Sequence, residues 1–258
     1  MGPIRIIFFD IDGTLIDMHT KKISDRTVEA VRRLRENGIL TCIATGRSPV
    51  TLPDFGGAEF DAFLTFNGSL CYAGEKTIFS GPIAPDQVQK LIRNAAGLGR
   101  PVAVATRDRL VANGTDADLT DYFAIANEVP QIAEDFDAIS RAEVYQLMMG
   151  CREADHPAIL QGVSGAKIAA WWDRAVDIIP AAGGKGVGIG KVLEYYGLDR
   201  SQAMAFGDGN NDIEMLQAVG TGIAMQNASD RLKAVADEVC GEAAQDGVYR
   251  YCLEHHLI

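Results

Sequence analysis

The sequence predicts an α/β fold in which a mainly parallel sheet is covered by helices, with an α+β domain inserted between its two halves. Strand and helix patterns alternate before about residue 81 and again after about residue 183, whereas the segment between carries paired short strands. Alternation of strands and helices is typical of parallel sheets, because parallel neighbours need a crossover connection. We therefore expect a parallel-sheet core of residues 1–81 and 184–258 and an inserted domain of residues 82–183.

The first half of the core follows this pattern element by element. An apolar strand begins at Ile6, and Ser24 is placed to cap a helix over residues 25–37, with apolar residues at helical spacing and Gly38 as its stop. Strands are predicted over residues 39–44 and 60–66. Asn67 and Gly68 predict a turn before a short strand over residues 70–72.

The remaining segments complete the predicted fold. In the second half of the core we expect helices over residues 187–196, 212–219 and 229–236, strands over 203–206, 222–225 and 238–240, and a final helix. In the inserted domain we expect five strands, over 102–105, 109–112, 144–149, 167–171 and 176–179, separated by helical stretches such as residues 85–96.

Composition limits the classes of function. The chain has 258 residues, 47% of them hydrophobic, and a net charge of -11 without a Lys- or Arg-rich block, which argues against a nucleic-acid partner. Five cysteines without a CxxC pair favour a reducing compartment, and four histidines show no metal-ligand spacing. No signal peptide or membrane span is indicated. We expect a cytoplasmic monomer or homodimer with no membrane partner.

Two acids end the first apolar strand. Asp10 and Asp12 follow the run IIFF, and they would share one side if the strand continued that far. An unpaired buried carboxylate is costly, so the pair needs either a cation or a chemical role. Taken alone, the DxDG pattern is equally compatible with a polar turn or a helix cap.

Other polar clusters lie at the ends of predicted strands or the starts of predicted helices. They are Thr45-Gly46-Arg47, Lys185 and the segment from Gly207 to Asp212. The carboxyl ends of parallel strands share one edge, so these residues are expected to meet in one pocket. Carboxylates form a hard oxygen site suited to Mg²⁺, and hydroxyl, cationic and backbone N–H groups suit a phosphate. The metal candidates are Asp10, Asp12, Asp208 and Asp212.

Three competing motifs fail on their spacing. Asp208, Asn210 and Asp212 begin like an EF-hand, but Ile213 replaces its glycine and Val219 replaces its final glutamate. The glycine-rich segment 183–191 matches neither the P-loop nor the GxGxxG fingerprint, because lysine stands where each motif needs glycine. Calcium-loop and nucleotide-loop interpretations are therefore rejected.

Over nearly its full length the chain resembles the haloacid dehalogenase superfamily, specifically the Cof-type phosphatases with a type II, subclass B cap. The resemblance is carried by FFDIDGTL at 8–15, IATGR at 43–47, GGKGVGIGKVL at 183–193 and FGDGNNDIEML at 206–216, with a similar closing segment at 222–237. It implies a Rossmann-like core and identifies the inserted domain as the cap. The middle segment matches only in size and position.

The resemblance also implies a role for each matching residue. Asp10 would be the nucleophile that forms an aspartyl-phosphate, and Asp12 the general acid and base, with its backbone carbonyl on the metal. Lys185 would neutralise phosphoryl oxygens and brace Asp10. The metal would be Mg²⁺, with Asp208 as a further ligand and Asp212 nearby or bound through water. Phosphate contacts would come from Thr45, Gly46, Arg47 and Asn211.

Two assignments stay open at this point. Arg47 suits a substrate anion but equally a pairing with a surface acid. The segment Trp171-Trp172-Asp173-Arg174 suits either contact with substrate or packing within the inserted domain.

The resulting hypothesis is a Mg²⁺-dependent phosphatase acting on small phosphomonoesters, sugar phosphates above all, with a cap that closes to exclude water. A phosphomutase would use the same nucleophile, and a non-catalytic sugar-phosphate sensor would use the same fold. The intact pair of Asp10 and Asp12 argues against the sensor, because binding alone needs no protonating acid. A dinucleotide-binding module lacks its glycine fingerprint.

Overall fold

A computed structural model describes residues 3–125, 128–170 and 172–258 of the protein. The chain forms two units, each described by itself below. The first comprises residues 1–46, 53–80 and 184–258, and the second comprises residues 47–52 and 81–183. The sequence predicted a division after residues 81 and 183. The structure additionally assigns the short segment Arg47–Leu52 to the second unit.

The first unit is an α/β layer structure. Its amino-terminal part contains β1 Ile6–Phe9, β2 Ile16–Asp17, β3 Lys22–Ile23, α1 Asp25–Glu36, β4 Leu40–Ala44, β5 Ala62–Thr65, β6 Leu70–Ala73 and β7 Lys76–Ser80. Its carboxyl-terminal part, whose numbering continues after the second unit, contains α6 Lys185–Tyr196, β13 Ala203–Gly207, α7 Ile213–Ala218, β14 Thr221–Met225, α8 Asp230–Lys233, β15 Glu238–Cys240 and α9 Gly247–Glu254.

One sheet organises this unit. In the described part of the chain it has eight strands in the order β15-β14-β13-β1-β4-β5-β6-β7, and all neighbours from β15 to β5 are parallel. Strands β6 and β7 continue it in antiparallel pairs. Strand β1 lies at the centre, where successive strands extend the sheet first on one side and later on the other. Such a switch point is where open α/β sheets bind ligands.

Helix α1 illustrates how the sequence specifies the elements around this sheet. The Ser24 hydroxyl accepts a hydrogen bond from the Thr27 backbone N–H at 3.1 Å, which caps the helix as predicted. Ala30, Val31 and Leu34 are buried, and Gly38 adopts a φ of +76° just after the helix ends. Only glycine adopts this left-handed conformation without steric cost.

The second unit is an α+β structure with its own core. It contains α2 Pro85–Gly97, β8 Val102–Ala105, β9 Leu110–Ala112, α3 Ala117–Ile125, α4 Phe136–Ile139, β10 Gln146–Gly150, α5 His156–Ile159, β11 Ala166–Ala169 and β12 Ala175–Pro180. Its five described strands form an antiparallel sheet in the order β11-β12-β10-β8-β9. One face of that sheet packs on α2 and α5 through apolar residues such as Val104, Leu147 and Ile178.

The fold class is confirmed, while several element ends differ from their predicted positions. Strand β1 stops at Phe9, so Asp10 and Asp12 do not share a strand face. Helix α6 begins at Lys185 instead of residue 187, and α8 covers only four residues of the predicted 229–236 helix. Strand β11 ends at Ala169, and Trp171 lies outside the described residues. Short-range patterns place element ends poorly because capping and packing decide them.

Two further expectations concern membrane-spanning helices and the cysteines. Among the described residues, no helix is long and apolar enough to cross a membrane. All five cysteines are buried free thiols, and Cys42 and Cys240 lie in the strands β4 and β15 as predicted. Burial raises the pKa of the Cys71 thiol to about 12, which disfavours a reactive thiolate there.

Candidate active site

Asp10 lies at the switch point of the first unit's sheet. It follows β1 directly, and its backbone N–H donates to the Phe206 carbonyl of β13 at 3.0 Å. The chain then turns, because the backbone N–H groups of Leu15 and Ile16 both donate to the Ile11 carbonyl. This turn separates the two acids: Asp10 is 7% exposed, whereas Asp12 is only half-buried.

Gly13, in the same turn, lets the loop that follows β1 contact the loop that follows β13. Its φ is +85°, and a Cβ atom at this position would lie 2.2 Å from Oδ2 of Asp208. Any larger residue would therefore displace the Asp208 carboxylate. The glycine of the DxDG pattern is thus required by an acid almost two hundred positions later in the chain.

Lys185 joins two of the predicted acids. It is the first residue of α6, its side chain is fully buried, and its Nζ lies 2.6 Å from Oδ1 of Asp10 and 2.5 Å from Oδ1 of Asp212. Burial alone would lower the pKa of Lys185, but the charges and hydrogen bonds of these two carboxylates raise it above its ordinary value. The lysine is therefore a permanent cation at the centre of the cluster.

Asp212 holds the loop after β13 in place. While Oδ1 pairs with Lys185, Oδ2 accepts backbone hydrogen bonds from Asp208 at 3.0 Å and Gly209 at 2.9 Å. Asp212 is itself fully buried. Its carboxylate consequently orients Asp208 toward Asp10 and satisfies buried backbone donors at the same time.

Three carboxylates converge beside this lysine. Asp10, Asp208 and Asp212 each offer an oxygen within 4.8 Å of the others, whereas Asp12 is not part of this group. Burial raises the pKa of Asp10 to about 7, with Lys185 opposing the shift and Asp212 and Asp12 adding to it. Burial also raises the pKa of Asp208 to about 8, with the charges of Asp10 and Asp212 adding to it.

These residues fit a divalent cation. One lysine does not compensate three neighbouring carboxylates, and the charges of these neighbours add to the rise in pKa that burial causes at Asp10 and Asp208. All the side-chain donors are hard carboxylate oxygens. Such donors favour Mg²⁺ and Ca²⁺ over softer metals. The predicted metal ligands Asp10, Asp208 and Asp212 are therefore brought together, whereas the Asp12 carboxylate is not part of this group.

The cluster predicts a pH-dependent response to metal. Without metal, the folded state keeps protons on Asp10 and Asp208 that the unfolded chain has lost, so their contribution to the free energy of unfolding declines as pH rises from about 4 to about 8. A bound cation replaces those protons. The gain in Tm from Mg²⁺ over EDTA should therefore be larger at pH 8.5 than at pH 5.5.

Differential scanning fluorimetry at several pH values checks this expectation. The variant Asp208→Asn is the control, because it removes one of the two titrating carboxylates and should reduce the gain at high pH. A gain in Tm that is the same at all pH values would contradict a cation at these carboxylates.

The four residues predicted to contact phosphate are divided between the two units. Thr45 and Gly46 directly follow β4 in the first unit, and the Thr45 backbone N–H donates to the Leu64 carbonyl at 2.8 Å. Asn211 lies in the loop after β13. Arg47 belongs to the second unit, where its guanidinium donates to the Thr51 carbonyl at 2.8 Å. Its predicted role is thus the least supported of the four.

Sequence reasoning missed two amides and a hydroxyl in this site. Asn227 donates through Nδ2 to the Gly13 carbonyl and to Oδ2 of Asp208, both at 3.1 Å, and the Thr14 hydroxyl lies 3.4 Å from Oδ1 of Asp208. Asn67 contacts Asn211. Asn227 follows strand β14 and Asn67 follows β5, so the rule that ligands gather at carboxyl ends of strands could have found both.

The structure describes contacts for part of the aromatic segment 171–174, whose role the sequence left open. The Arg174 guanidinium stacks over the Trp172 ring at 4.4 Å from its centroid and pairs with the Asp121 carboxylate. These contacts describe packing within the unit for Trp172 and Arg174. They do not assign either residue to a substrate.

Comparison with known proteins decides the family. A family model of haloacid dehalogenase-like hydrolases matches residues 7–252 of the chain. The chain belongs to the haloacid dehalogenase-like hydrolases. The predicted resemblance is thereby confirmed, including its Cof type.

Individual relatives of this hydrolase are phosphatases. The chain is 31% identical over 247 residues to the putative phosphatase YkrA of Bacillus subtilis, and the match covers 95% of each protein. The structure of the phosphatase BT1666 from Bacteroides thetaiotaomicron superposes with a TM-score of 0.91 at 28% identity, covering 99% of this chain and 96% of that one. The subclass IIB sugar phosphatase BT4131 superposes with a TM-score of 0.88 at 27% identity, covering 98% and 100%. The hydrolase is thus a phosphoric monoester hydrolase by class.

Proposed function

We propose that this hydrolase is a cytoplasmic, Mg²⁺-dependent phosphatase that acts on small phosphomonoesters, sugar phosphates among them, through an aspartyl-phosphate on Asp10. The observation that carries the proposal is the buried bridge from Lys185 to Asp10 and Asp212 at the switch point of the sheet. A buried carboxylate with a fixed cation at one oxygen is held in a single orientation. The similarity to a sugar phosphatase supports the substrate class.

The chemistry assigned to the chain has two halves. In the first, an Asp10 oxygen forms a bond to phosphorus, the ester P–O bond breaks, and Asp12 protonates the departing alkoxide. In the second, Asp12 takes a proton from water as the water oxygen bonds to phosphorus and the P–O bond to Asp10 breaks, which releases inorganic phosphate and restores the Asp10 carboxylate. Asp12 suits this exchange because it is only half-buried and lies outside the group of three carboxylates.

The other residues bind and orient. Asp10 and Asp208 would hold Mg²⁺ together with the backbone carbonyl of Asp12, and Asp212 would contact it through water. When bound, Mg²⁺ offsets the negative charge of the carboxylates and of the reacting phosphoryl group. Lys185 neutralises a phosphoryl oxygen. Phosphate contacts come from Thr45, Gly46 and Asn211, with Arg47 as a candidate for the anionic end of the substrate.

The second unit is proposed to select the substrate. It corresponds to the cap expected from the sequence, with its own apolar core and a five-stranded sheet over the described residues. Because the phosphoryl group is common to all substrates, discrimination among them requires contacts to the leaving group. Those contacts would come from residues beyond the phosphate-binding set.

A panel of phosphorylated metabolites tests the proposal. With Mg²⁺ present, we expect release of inorganic phosphate from several sugar phosphates, ranked by kcat/KM, and no release after EDTA treatment until Mg²⁺ is restored. Asp25→Asn, a change of an exposed acid in the first turn of α1, is the control and should retain full turnover.

Other outcomes would identify the alternatives. Transfer of the phosphoryl group between sugar positions, dependent on a sugar bisphosphate, would indicate a phosphomutase. Binding of sugar phosphates to the Mg²⁺-loaded protein without any turnover would indicate a sensor. Either result would overturn the phosphatase assignment.

A further inference from the structure

The connection between β5 and β6 has an unusual backbone. Phe66, Asn67 and Gly68 have φ values of +52°, +53° and +83°, so three successive residues are left-handed. Glycine tolerates this region and asparagine visits it more readily than most residues, but a bulky phenylalanine there is an outlier. Phe66 and Asn67 are both buried. Strain of this kind persists only where the surrounding structure holds it, and it concentrates at functional sites.

The surroundings that hold this turn belong to the proposed active site. The Asn67 backbone N–H donates to the Thr45 carbonyl at 2.9 Å. On the other side, a Cβ atom at Gly68 would lie 2.6 Å from the Gly184 carbonyl, immediately before Lys185. The turn therefore fits tightly between the end of β4 and the start of α6.

The Asn67 side chain contacts two further elements of the site. Its Oδ1 accepts from Nδ2 of Asn211 at 3.4 Å, and its carboxamide lies within 3.2–3.6 Å of the position that a Cβ atom of Gly46 would occupy. Asn67 is 3% exposed, so this arrangement has little freedom. One carboxamide thus touches both segments to which phosphate contacts were assigned.

We propose that Asn67 is a positioning residue of the phosphate site, and that its carboxamide keeps Asn211 and the Thr45–Gly46 segment in a fixed relation. The inference rests on the proposed function, since that function assigns phosphate contacts to Thr45, Gly46 and Asn211. The left-handed turn is the device that brings the carboxamide between them. Asn67 acts through its neighbours and is not assigned a contact with the reacting atoms.

The variant Asn67→Gly isolates the carboxamide from the backbone. Glycine is favoured at a φ of +53°, so the turn keeps its shape while the side chain is removed. We expect Tm to stay within about 3 °C of the wild type. We expect kcat/KM to fall by about 10-fold or more for every substrate alike, since displacement of reacting groups by about 1 Å can cost about 100-fold.

Two measurements distinguish positioning from a structural role. Inorganic phosphate should bind more weakly to Asn67→Gly than to the wild type. We expect a higher dissociation constant by calorimetry and a higher inhibition constant in turnover assays. In a double-mutant cycle with Asn211→Ala, the two losses should be clearly less than additive, because the same arrangement is broken by either change. His256→Gly is the matched control, since His256 is an exposed left-handed residue after α9, and it should change neither measurement.

The outcomes separate this inference from the proposed function. Wild-type turnover and phosphate binding that persist unchanged in Asn67→Gly would overturn the positioning role and leave the phosphatase assignment intact. Fully additive losses, or a loss explained by a collapse of Tm, would also overturn it. If the wild type binds phosphate without any turnover and Asn67→Gly weakens that binding, the proposed function fails and the positioning role stands.

Discussion

Replacing Asp10 by asparagine is expected to reduce phosphate release by about 10⁴-fold or more, since removal of a covalent nucleophile leaves only binding and electrostatic assistance. Asparagine keeps the shape of the side chain but cannot form the aspartyl-phosphate. The measurement is turnover of an aryl phosphate and of the best metabolite, with Mg²⁺ at saturation. Folded Asp10→Asn protein that retains wild-type turnover would falsify the proposed mechanism.

Stability gives an independent check on the same variant. Because the pKa of Asp10 is raised to about 7 in the folded state, ionised Asp10 disfavours folding at alkaline pH in the absence of metal. A neutral asparagine removes that cost. Without Mg²⁺ at pH 8.5, we therefore expect the Tm of Asp10→Asn to equal or exceed that of the wild type, while its gain in Tm from Mg²⁺ becomes smaller.

Replacing Lys185 by methionine is expected to have the largest effect on stability. Methionine is unbranched like lysine and only one atom shorter, but it leaves Asp10 and Asp212 buried without their cation. Breaking a buried ion pair in this way typically costs about 3–5 kcal/mol. We expect a loss in the free energy of unfolding of that order at pH 8, measured by urea unfolding with EDTA present, together with loss of turnover.

The control for this variant lies on the same helix. Lys191 is exposed and pairs with the exposed Glu194 at 3.0 Å, so Lys191→Met should change the free energy of unfolding by less than about 1 kcal/mol. The double variant Lys185→Met with Asp10→Asn removes a buried charge as well, and it should recover part of the lost stability but none of the activity. Equal stability of both single lysine variants would contradict the assigned role of Lys185.

The sequence predicted much of this arrangement because its signals are local. The Ser24 cap, the stop at Gly38 and the apolar strands depend on neighbouring residues, and the structure contains them. The convergence of Asp10, Lys185 and Asp208 was predictable for a different reason, since parallel strands place their carboxyl ends at one edge. Catalytic roles for these residues stay predictions until the variants are measured.

Other features depend on contacts that no local pattern encodes. The separation of Asp10 from Asp12 follows from the hydrogen bonds that turn the chain at Ile11. The assignment of Arg47 to the second unit, although it adjoins Thr45 and Gly46 in sequence, follows from how that segment packs. Helix α6 begins two residues earlier than predicted, so Lys185 is a helix residue, and its side chain is fully buried.

By itself the sequence determined the family, the α/β class and the acids from which an active site can be built, because motif spacing and strand periodicity are properties of the chain. Only the tertiary structure decided how those residues pair: that Lys185 bridges Asp10 and Asp212, that Gly13 leaves room for Asp208, and that Asn67 reaches Asn211 from a left-handed turn. The physical reason is that burial and distance set charge pairing and pKa values, and both arise only when distant segments pack together.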